Sequence, residues 1–281
     1  KGKADEEKLQ QSLAKIAMED PSFQVTTNPD TGQTIISGMG ELHLEIITDR
    51  LVRDFKVAAN VGKPQVAYKE SVSQTARVEA KFEQAAGGKP QYGHVWLELT
   101  PLERGAGFVF ENLIDEEAIP KSFIPAIQKG IEGSLDSGAL IGFPVTDVKV
   151  ALVDGSYHEE DSTEQAFGIA ATMALRKGLA EAKPVLLEPI MALEVLAPES
   201  FLGEVIADLN GKRAKIQGME NRSGGLQAIK AHVALAEMFG YATELRSATQ
   251  GRATFSMQYL KHEQVPDHVS ERIVQKIRGL V

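Results

Sequence analysis

The same succession of helix and strand signals occurs twice, once toward each end of the chain, and few domains can be built on it. Residues 5–18, "DEEKLQQSLAKIAM", carry Leu9, Leu13, Ile16 and Ala17 at helical spacing, and Pro21 stops the helix. Two β-type runs follow, "SFQVTTN" and "QTIISGM", joined through the turn "PDTG". "ELHLEIITDRLVRDF" then sets Leu44, Ile47, Leu51 and Phe55 on one helical face, and "KVAANVG" reads as a short strand. The last third repeats this order. It runs from a helix over 201–213 to the strand "AKIQGMEN", the turn "RSGG" and the strand "LQAIKAHVAL", then the helix "EMFGYATELRSAT" and the strand "RATFSMQYL". Here one more strand, "IMALEVLAP" (190–198), precedes the first helix and completes a βαββαβ, ferredoxin-like pattern. The first strand is central in such a sheet, and the N-terminal copy has no counterpart to it. The expectation is a domain cut near its start, from a protein that extends upstream.

The middle of the chain is different. "TARVEAKFEQA" and "GHVWLELTPLE" alternate like strands, with the Gly-rich loop "GGKPQYG" (87–93) between them. "PKSFIPAIQKGIEGSLDSG" reads as a helix entered after Pro120 and ending at Gly138. "VTDVKVALVDG" is a strand, and "STEQAFGIAATMALRKGLAEA" a second long helix closed by Lys183-Pro184. The loops 87–93 and 154–162 each leave a strand and are expected to meet at one end of this domain. The fold class is therefore α+β: two ferredoxin-like domains flanking a ribosomal-protein-like βαβ domain, with boundaries at 1–73, 74–189 and 190–281, the last carrying a C-terminal helix.

Charge narrows the partners. The net charge is −9, and its distribution is uneven. Residues 74–190 hold 10 basic and 18 acidic side chains, whereas 1–73 hold 9 and 11, and 191–281 hold 11 and 10. Long-range attraction to phosphates does not bring the middle piece to whatever it touches. No apolar run reaches the roughly 20 residues of a membrane span. The absence of cysteine removes disulfides and thiolate metal sites and fits a cytoplasmic protein.

Within the acidic middle piece stands "GSYHEEDST" (155–163), which admits four readings: a metal site, a Ser156/His158/Asp161 catalytic cluster, a solvated loop, or a tip that enters a partner. The six histidines (43, 94, 158, 232, 262 and 268) form no HExxH or other paired zinc spacing. Triad members normally come from separate segments that orient one another, whereas these three lie within six residues of one loop. The acids 159–161 also suit the cap of a helix beginning near Ser162. The residues alone leave the solvated loop and the inserted tip open. "AGGKPQYG" is not a phosphate loop, since position 83 is Glu and position 90 is Pro, and no NKxD guanine-recognition sequence occurs. Nor do "AKIQGMEN" and "RATFSMQYL" carry the aromatic pattern of an RNA-recognition module.

Seven segments, in order, resemble elongation factor G: "EDPSFQV" (19–25), "GQTIISGMGELHLEI" (32–46), "NVGKPQVAYKE" (60–70), "QYGHV" (91–95), "GSYHEEDS" (155–162), "AKPVLLEPIM" (182–191) and "EMFGYATELRSATQGRATFSM" (237–257). They are similar to its third, fourth and fifth domains and cover nearly the whole chain. The resemblance implies the C-terminal part of a GTPase that moves transfer RNA and messenger RNA through the ribosome. GTP and magnesium would be held by the upstream domains, and this chain would carry no cofactor, no metal and no catalytic residue. It implies a tip made of Gly88, Lys89, Pro90, Gln91 and Tyr92 on one loop and Ser156, Tyr157, His158, Glu159, Glu160 and Asp161 on the other. His158 and Gln91 would meet the tRNA–mRNA duplex or its surrounding RNA in the decoding site. Gly40, Glu41, Leu42 and His43 would couple to the GTPase switch, and the last domain would meet ribosomal RNA near the sarcin-ricin loop. A cytoplasmic monomer with no membrane contact is expected. "PLERGAGFVF" is shorter than in many members, "IDEEAIP" carries acids where glycines are common, and Lys89-Pro90 replaces a flexible pair. A paralogue for ribosome recycling or auxiliary translocation is thus the alternative within the family, and a stand-alone hydrolase the alternative outside it. The intact "SYHEEDS" favours elongation.

Overall fold

Alternation along two long strands sets up the module that carries the acidic loop. In the computed structural model, which describes residues 3–29, 32–39, 41–57, 59–62, 65–86, 89–115 and 117–279, β4 (Ala76–Ala86) pairs antiparallel with β5 (Lys89–Pro101). Val78, Val95, Leu97 and Leu99 point to one face and are buried, while Arg77, Glu79, Lys81, Glu83, His94, Trp96 and Glu98 take the other. β7 (Val148–Ser156) joins β5 antiparallel, and β6 (Phe108–Asn112) joins β7 parallel, giving the order β4-β5-β7-β6. The crossover from β6 to β7 runs through α3 (Ile124–Glu132), so the parallel βαβ unit starts from β6 and not from β5, the strand the sequence shows before this helix.

The covered face lies under α3 and α4 (Glu164–Glu181), whose inner surface is Ala166, Phe167, Ala170, Ala171, Ala174, Leu175, Gly178 and Leu179. The small residues let the helix come close. A Cβ on Gly178 would stand 2.5 Å from Leu99 Cδ1, and one on Gly93 would stand 2.6 Å from the Ala166 backbone. Overfilling such contacts typically costs about 1–3 kcal/mol, and at Gly93 the obstacle is backbone, which cannot step aside as the Leu99 side chain can at Gly178.

Several boundaries differ from the sequence reading. Of the segment 87–93, residues 89–93 already belong to β5, with Gln84 opposite Gln91, and 87–88 lie outside the described residues. α3 stops at Glu132 rather than running to Gly138. The chain there must turn so that Leu140, Ile141, Gly142 and Phe143 can direct their N–H groups to the Glu70 carboxylate at 2.7–3.0 Å. β6 was not anticipated, because "RGAGF" reads as a turn up to the strand's first residue.

The contacts divide the chain into two compact units, Lys1–Ala67 with Ile190–Leu260, and Tyr68–Pro189 with Lys261–Val281. The C-terminal helix α7 (Asp267–Ile277), expected with the last domain, thus groups with the middle one. There the Val265 N–H reaches the Leu186 carbonyl at 2.9 Å and the Arg278 guanidinium reaches the Leu140 carbonyl at 2.6 Å. The same unit pairs β3 (Lys69–Val72) with residues 184–187 of β8 (Pro184–Pro198).

In the first unit, β8, β9 (Lys215–Arg222), β10 (Leu226–Ala234) and β11 (Thr254–Gln264) follow the order β11-β8-β10-β9, with α5 (Leu202–Gly211) after β8 and α6 (Tyr241–Ala248) after β10. That is the ferredoxin-like arrangement, with the first strand central. α6 begins later than "EMFGY" suggests because Gly240 sits at φ 89° and interrupts the helix. The N-terminal copy comprises α1 (Lys3–Glu19), the hairpin β1 (Gln24–Thr27) and β2 (Thr34–Ser37), and α2 (Glu41–Arg53) around Leu13, Ile16, Phe23, Ile47 and Leu51. "KVAANVG" forms no strand among its described residues. Lys56 adopts φ 52°, and the Val57 N–H returns to the Leu51 carbonyl, so the segment caps α2. No helix of the described residues is long and apolar enough to cross a membrane.

Candidate functional site

Register on the open face of the four-stranded sheet gathers the tip. His94 lies opposite both Lys81 on β4 and Ser156 on β7, so three strands contribute to one patch. β7 ends at Ser156, and the chain folds back over β5. The Tyr92 N–H donates to the Asp161 carbonyl at 2.8 Å, and Tyr92 pairs with Ser162 in an isolated bridge. The two segments therefore meet, as the sequence led one to expect. Gly155 enables the approach, since a Cβ there would stand 2.4 Å from Ile119 Cδ1 and 2.5 Å from the His94 carbonyl.

The loop 157–162 is closed on itself. The His158 N–H donates to Ser162 Oγ at 2.9 Å, and the Ser162 N–H returns to the His158 carbonyl at 3.0 Å. The acids do not cap the following helix. Thr163 does, accepting from the Ala166 N–H at 3.1 Å, with Glu164 in the first turn. Glu159 and Glu160 are exposed, and so is Tyr157. Pro90 is exposed and Gln91 half-buried. Gly88 lies outside the described residues, as does the side chain of Lys89.

Ser156, His158 and Asp161 do not form a relay. Ser156 Oγ lies 2.8 Å from both the Tyr92 hydroxyl and His94 Nδ1. His158 instead lays its ring on Tyr92, with centroids 3.8 Å apart and planes 8° from parallel, and brings Nδ1 to 3.7 Å from Asp161 Oδ2. The hydrolase reading loses its serine–histidine contact. Among the described residues no three His, Asp or Glu side chains converge on a metal position.

Sequence reasoning did not single out Glu79, Lys81, Glu83 or His94 as part of the tip. Lys81 holds its ammonium 5.0 Å from the Tyr92 ring centroid and 2.7 Å from Glu83. The hydrogen bond from Lys81 lowers the Glu83 pKa, with His158 adding a smaller pull in the same direction. His94 Nε2 lies 3.5 Å from Glu79 Oε2. The signal that could have found them is the two-residue period: 79, 81 and 83 on β4 face the same side as 92 and 94 on β5.

The other expected segment belongs to the first unit. Gly40 lies outside the described residues, as do the side chains of Glu41 and Leu42 at the start of α2. His43 Nδ1 accepts from the Met39 N–H at 3.0 Å, which leaves Nε2 to donate to Asp20 Oδ2 at 2.6 Å. Hydrogen bonds from Ser22 hold the Asp20 carboxyl below its ordinary value, with His43 contributing less. His43 thereby pins the Gly38–Met39 turn, where a Cβ on Gly38 would stand 2.6 Å from its Nδ1.

Models for "Elongation Factor G, domain III", "Elongation factor G, domain IV" and "Elongation factor G C-terminus" match residues 1–63, 64–183 and 185–273. "Elongation factor G 2" of Desulfotalea psychrophila (strain LSv54 / DSM 12343) is 60% identical over 278 residues, covering 99% of this chain and 40% of the relative. A crystal structure of a protein from Thermus thermophilus superposes with a TM-score of 0.85 at 40% identity, over 99% of this chain and 42% of that one. The chain thus spans about two fifths of the length of these relatives. Three consecutive matches to one family, in that family's order, leave a single assignment: the chain belongs to the elongation factor G family, in the part that holds its third and fourth domains and its C-terminus.

Proposed function

We propose that this chain is the ribosome-engaging portion of a translocase, which promotes movement of tRNA and mRNA during elongation while an upstream domain of the same protein binds GTP with magnesium and hydrolyses it. The observation that carries the proposal is the loop 156–162, folded over β5 and closed by its own hydrogen bonds, holding out His158 with its side chain 52% exposed. A tip of this kind must engage an RNA helix of any sequence and then leave. Imidazole and phenol groups supply stacking and hydrogen bonds to ribose or backbone without reading bases. The neighbouring carboxylates of Glu83, Glu159, Glu160 and Asp161 oppose phosphate, and so limit the adhesion that would slow release. In this reading His158, Tyr157, Gln91 and Pro90 face the decoding site, Gly88 and Lys89 complete that surface, and His43 with Gly40, Glu41 and Leu42 couples to the GTPase switch. The C-terminal ferredoxin-like domain meets large-subunit RNA near the sarcin-ricin loop, and the site of action is cytoplasmic.

The test is His158→Ala in the full-length factor. Ribosome-stimulated GTP hydrolysis is expected to stay near the wild-type rate, because the tip takes no part in it. Single-round translocation is expected to slow, since the lost contact forms only when the tip is seated. A desolvated contact of this kind is worth roughly 1–3 kcal/mol, or about 5- to 150-fold in rate. Translocation at the wild-type rate would reduce the loop to a solvated surface turn.

A further inference from the structure

Tyr92 belongs to the expected RNA-facing set, yet it is only 5% exposed. Its groups are committed inside the chain. The N–H binds the Asp161 carbonyl, the hydroxyl binds Ser156 Oγ, Lys81 lies by the ring, and the His158 imidazole lies flat on it. We propose that Tyr92 is a positioning residue, a fixed platform that sets the His158 ring in one orientation before the tip meets RNA. This rests on the role given to His158 above.

The hydrogen bonds around Tyr92 make the platform rigid, because each hydroxyl in them can both donate and accept. A proton on His94 Nε2, facing Glu79, leaves Nδ1 to accept from the Ser156 hydroxyl. Ser156 Oγ then accepts from the Tyr92 hydroxyl. The phenol is thus tied at its far end to a chain rooted in β4, β5 and β7, and at its near end by its own backbone. A histidine on a loop would otherwise sample several rotamers and lose that freedom on contact with RNA, which weakens binding. With one ring face stacked on Tyr92, His158 still keeps about half its side-chain surface exposed for a partner. The carboxylates around it favour a neutral group of the RNA, a ribose hydroxyl or the face of a base, over a phosphate.

The experiment compares Tyr92→Leu, Tyr92→Phe, His158→Ala and the double variant Tyr92→Leu/His158→Ala in the full-length factor by single-round translocation. The chain itself, carbon-13 labelled at histidine, is followed by NMR. Tyr92→Leu is expected to slow translocation roughly 3- to 10-fold, as loss of an aromatic pair implies. The double variant should be no slower than His158→Ala alone, because the platform acts only through that ring. Tyr92→Phe keeps the stack and should keep most of the rate. The His158 ring protons should resonate upfield in wild type and Tyr92→Phe and return to ordinary positions in Tyr92→Leu. The proposal is overturned if His158→Ala is slow while Tyr92→Leu, folded by circular dichroism, runs at the wild-type rate, which leaves the RNA contact standing. Additive effects in the double variant overturn it too, because Tyr92 would then act elsewhere. If Tyr92→Leu does not fold, the other two measurements decide, and an unshifted His158 resonance in the wild type, or a Tyr92→Phe as slow as His158→Ala, removes the platform. A His158→Ala at the wild-type rate removes the RNA contact itself and the platform with it.

Discussion

Glu70 places its carboxylate, 1% exposed, in a cradle of four consecutive backbone N–H groups. Oε2 accepts from Leu140, and Oε1 from Ile141, Gly142 and Phe143. The positive φ of Gly142 lets these amides converge, as in an anion-binding nest, and Gly138 leaves room where any Cβ would strike the carboxylate. Hydrogen bonds to a charged acceptor contribute about 1.5–3 kcal/mol each before the cost of desolvating that charge. Glu70→Gln keeps the shape but aims an NH2 group at backbone donors, so it should destabilise the unit by about 2–4 kcal/mol. Urea unfolding would register this as a lower midpoint with an unchanged slope, and an unchanged midpoint would refute the cradle's importance. None of this is legible in "AYKES", because the donors come from 70 and more residues away. His158 could be singled out as a candidate for the opposite reason: its loop is contiguous in sequence, and its surroundings carry the family's pattern. Tyr92 lies between these cases. Its presence at the tip was readable, whereas its burial depends on the fold-back of 157–162, which no local pattern encodes.

Among the elements, the strands that alternate cleanly were found where the sequence put them, and the errors fall where backbone geometry overrides composition. "GGKPQYG" looks like a loop by content, but ladder pairing with β4 carries Lys89, Pro90 and Gln91 into β5. "KVAANVG" looks like a strand by content, but its backbone is spent on closing α2. A consequence concerns relative stability. Among the described residues the hairpin β1–β2 is a sheet of two strands, and most of its side chains are exposed or half-exposed. β8 and β10 lie inside a wider sheet and bury Leu193, Val195, Ala197, Ile229 and Val233. Two-stranded sheets are marginal without such cover, and local opening follows buried contact. Hydrogen exchange is therefore expected to be faster over 22–61 than over 190–260. Equal protection would mean that the hairpin gains support the pairing does not reveal.

At the scale of the whole molecule, the question is where nucleotide chemistry resides, and the Gly-Lys pairs answer it. A phosphate loop needs a glycine-rich turn that leaves a strand and opens a helix, so that free N–H groups and the positive end of the helix dipole meet the anion. Lys89 instead opens β5 opposite Ala86, the last residue of β4, and a strand rather than a helix follows it. Gly211-Lys212 stands at the C-terminal end of α5, where the dipole is negative. Lys212 is also occupied, with Glu244 at 2.5 Å and Asp208 at 3.4 Å, and the hydrogen bond it donates to Glu244 raises its pKa. Gly62-Lys63 is followed by Pro64, not by the Ser or Thr that would ligate magnesium. The guanine-recognition sequence is also missing, so neither end of GTP finds its usual partner. The chain by itself is therefore expected to give no binding heat with GTP and magnesium at micromolar concentrations, and no phosphate release, whereas the full-length factor should do both. One-site micromolar binding to the chain alone would contradict this placement, and would require a phosphate site of a kind that none of its four Gly-Lys pairs provides, the remaining one, Gly2-Lys3, being followed by Ala4 rather than Ser or Thr.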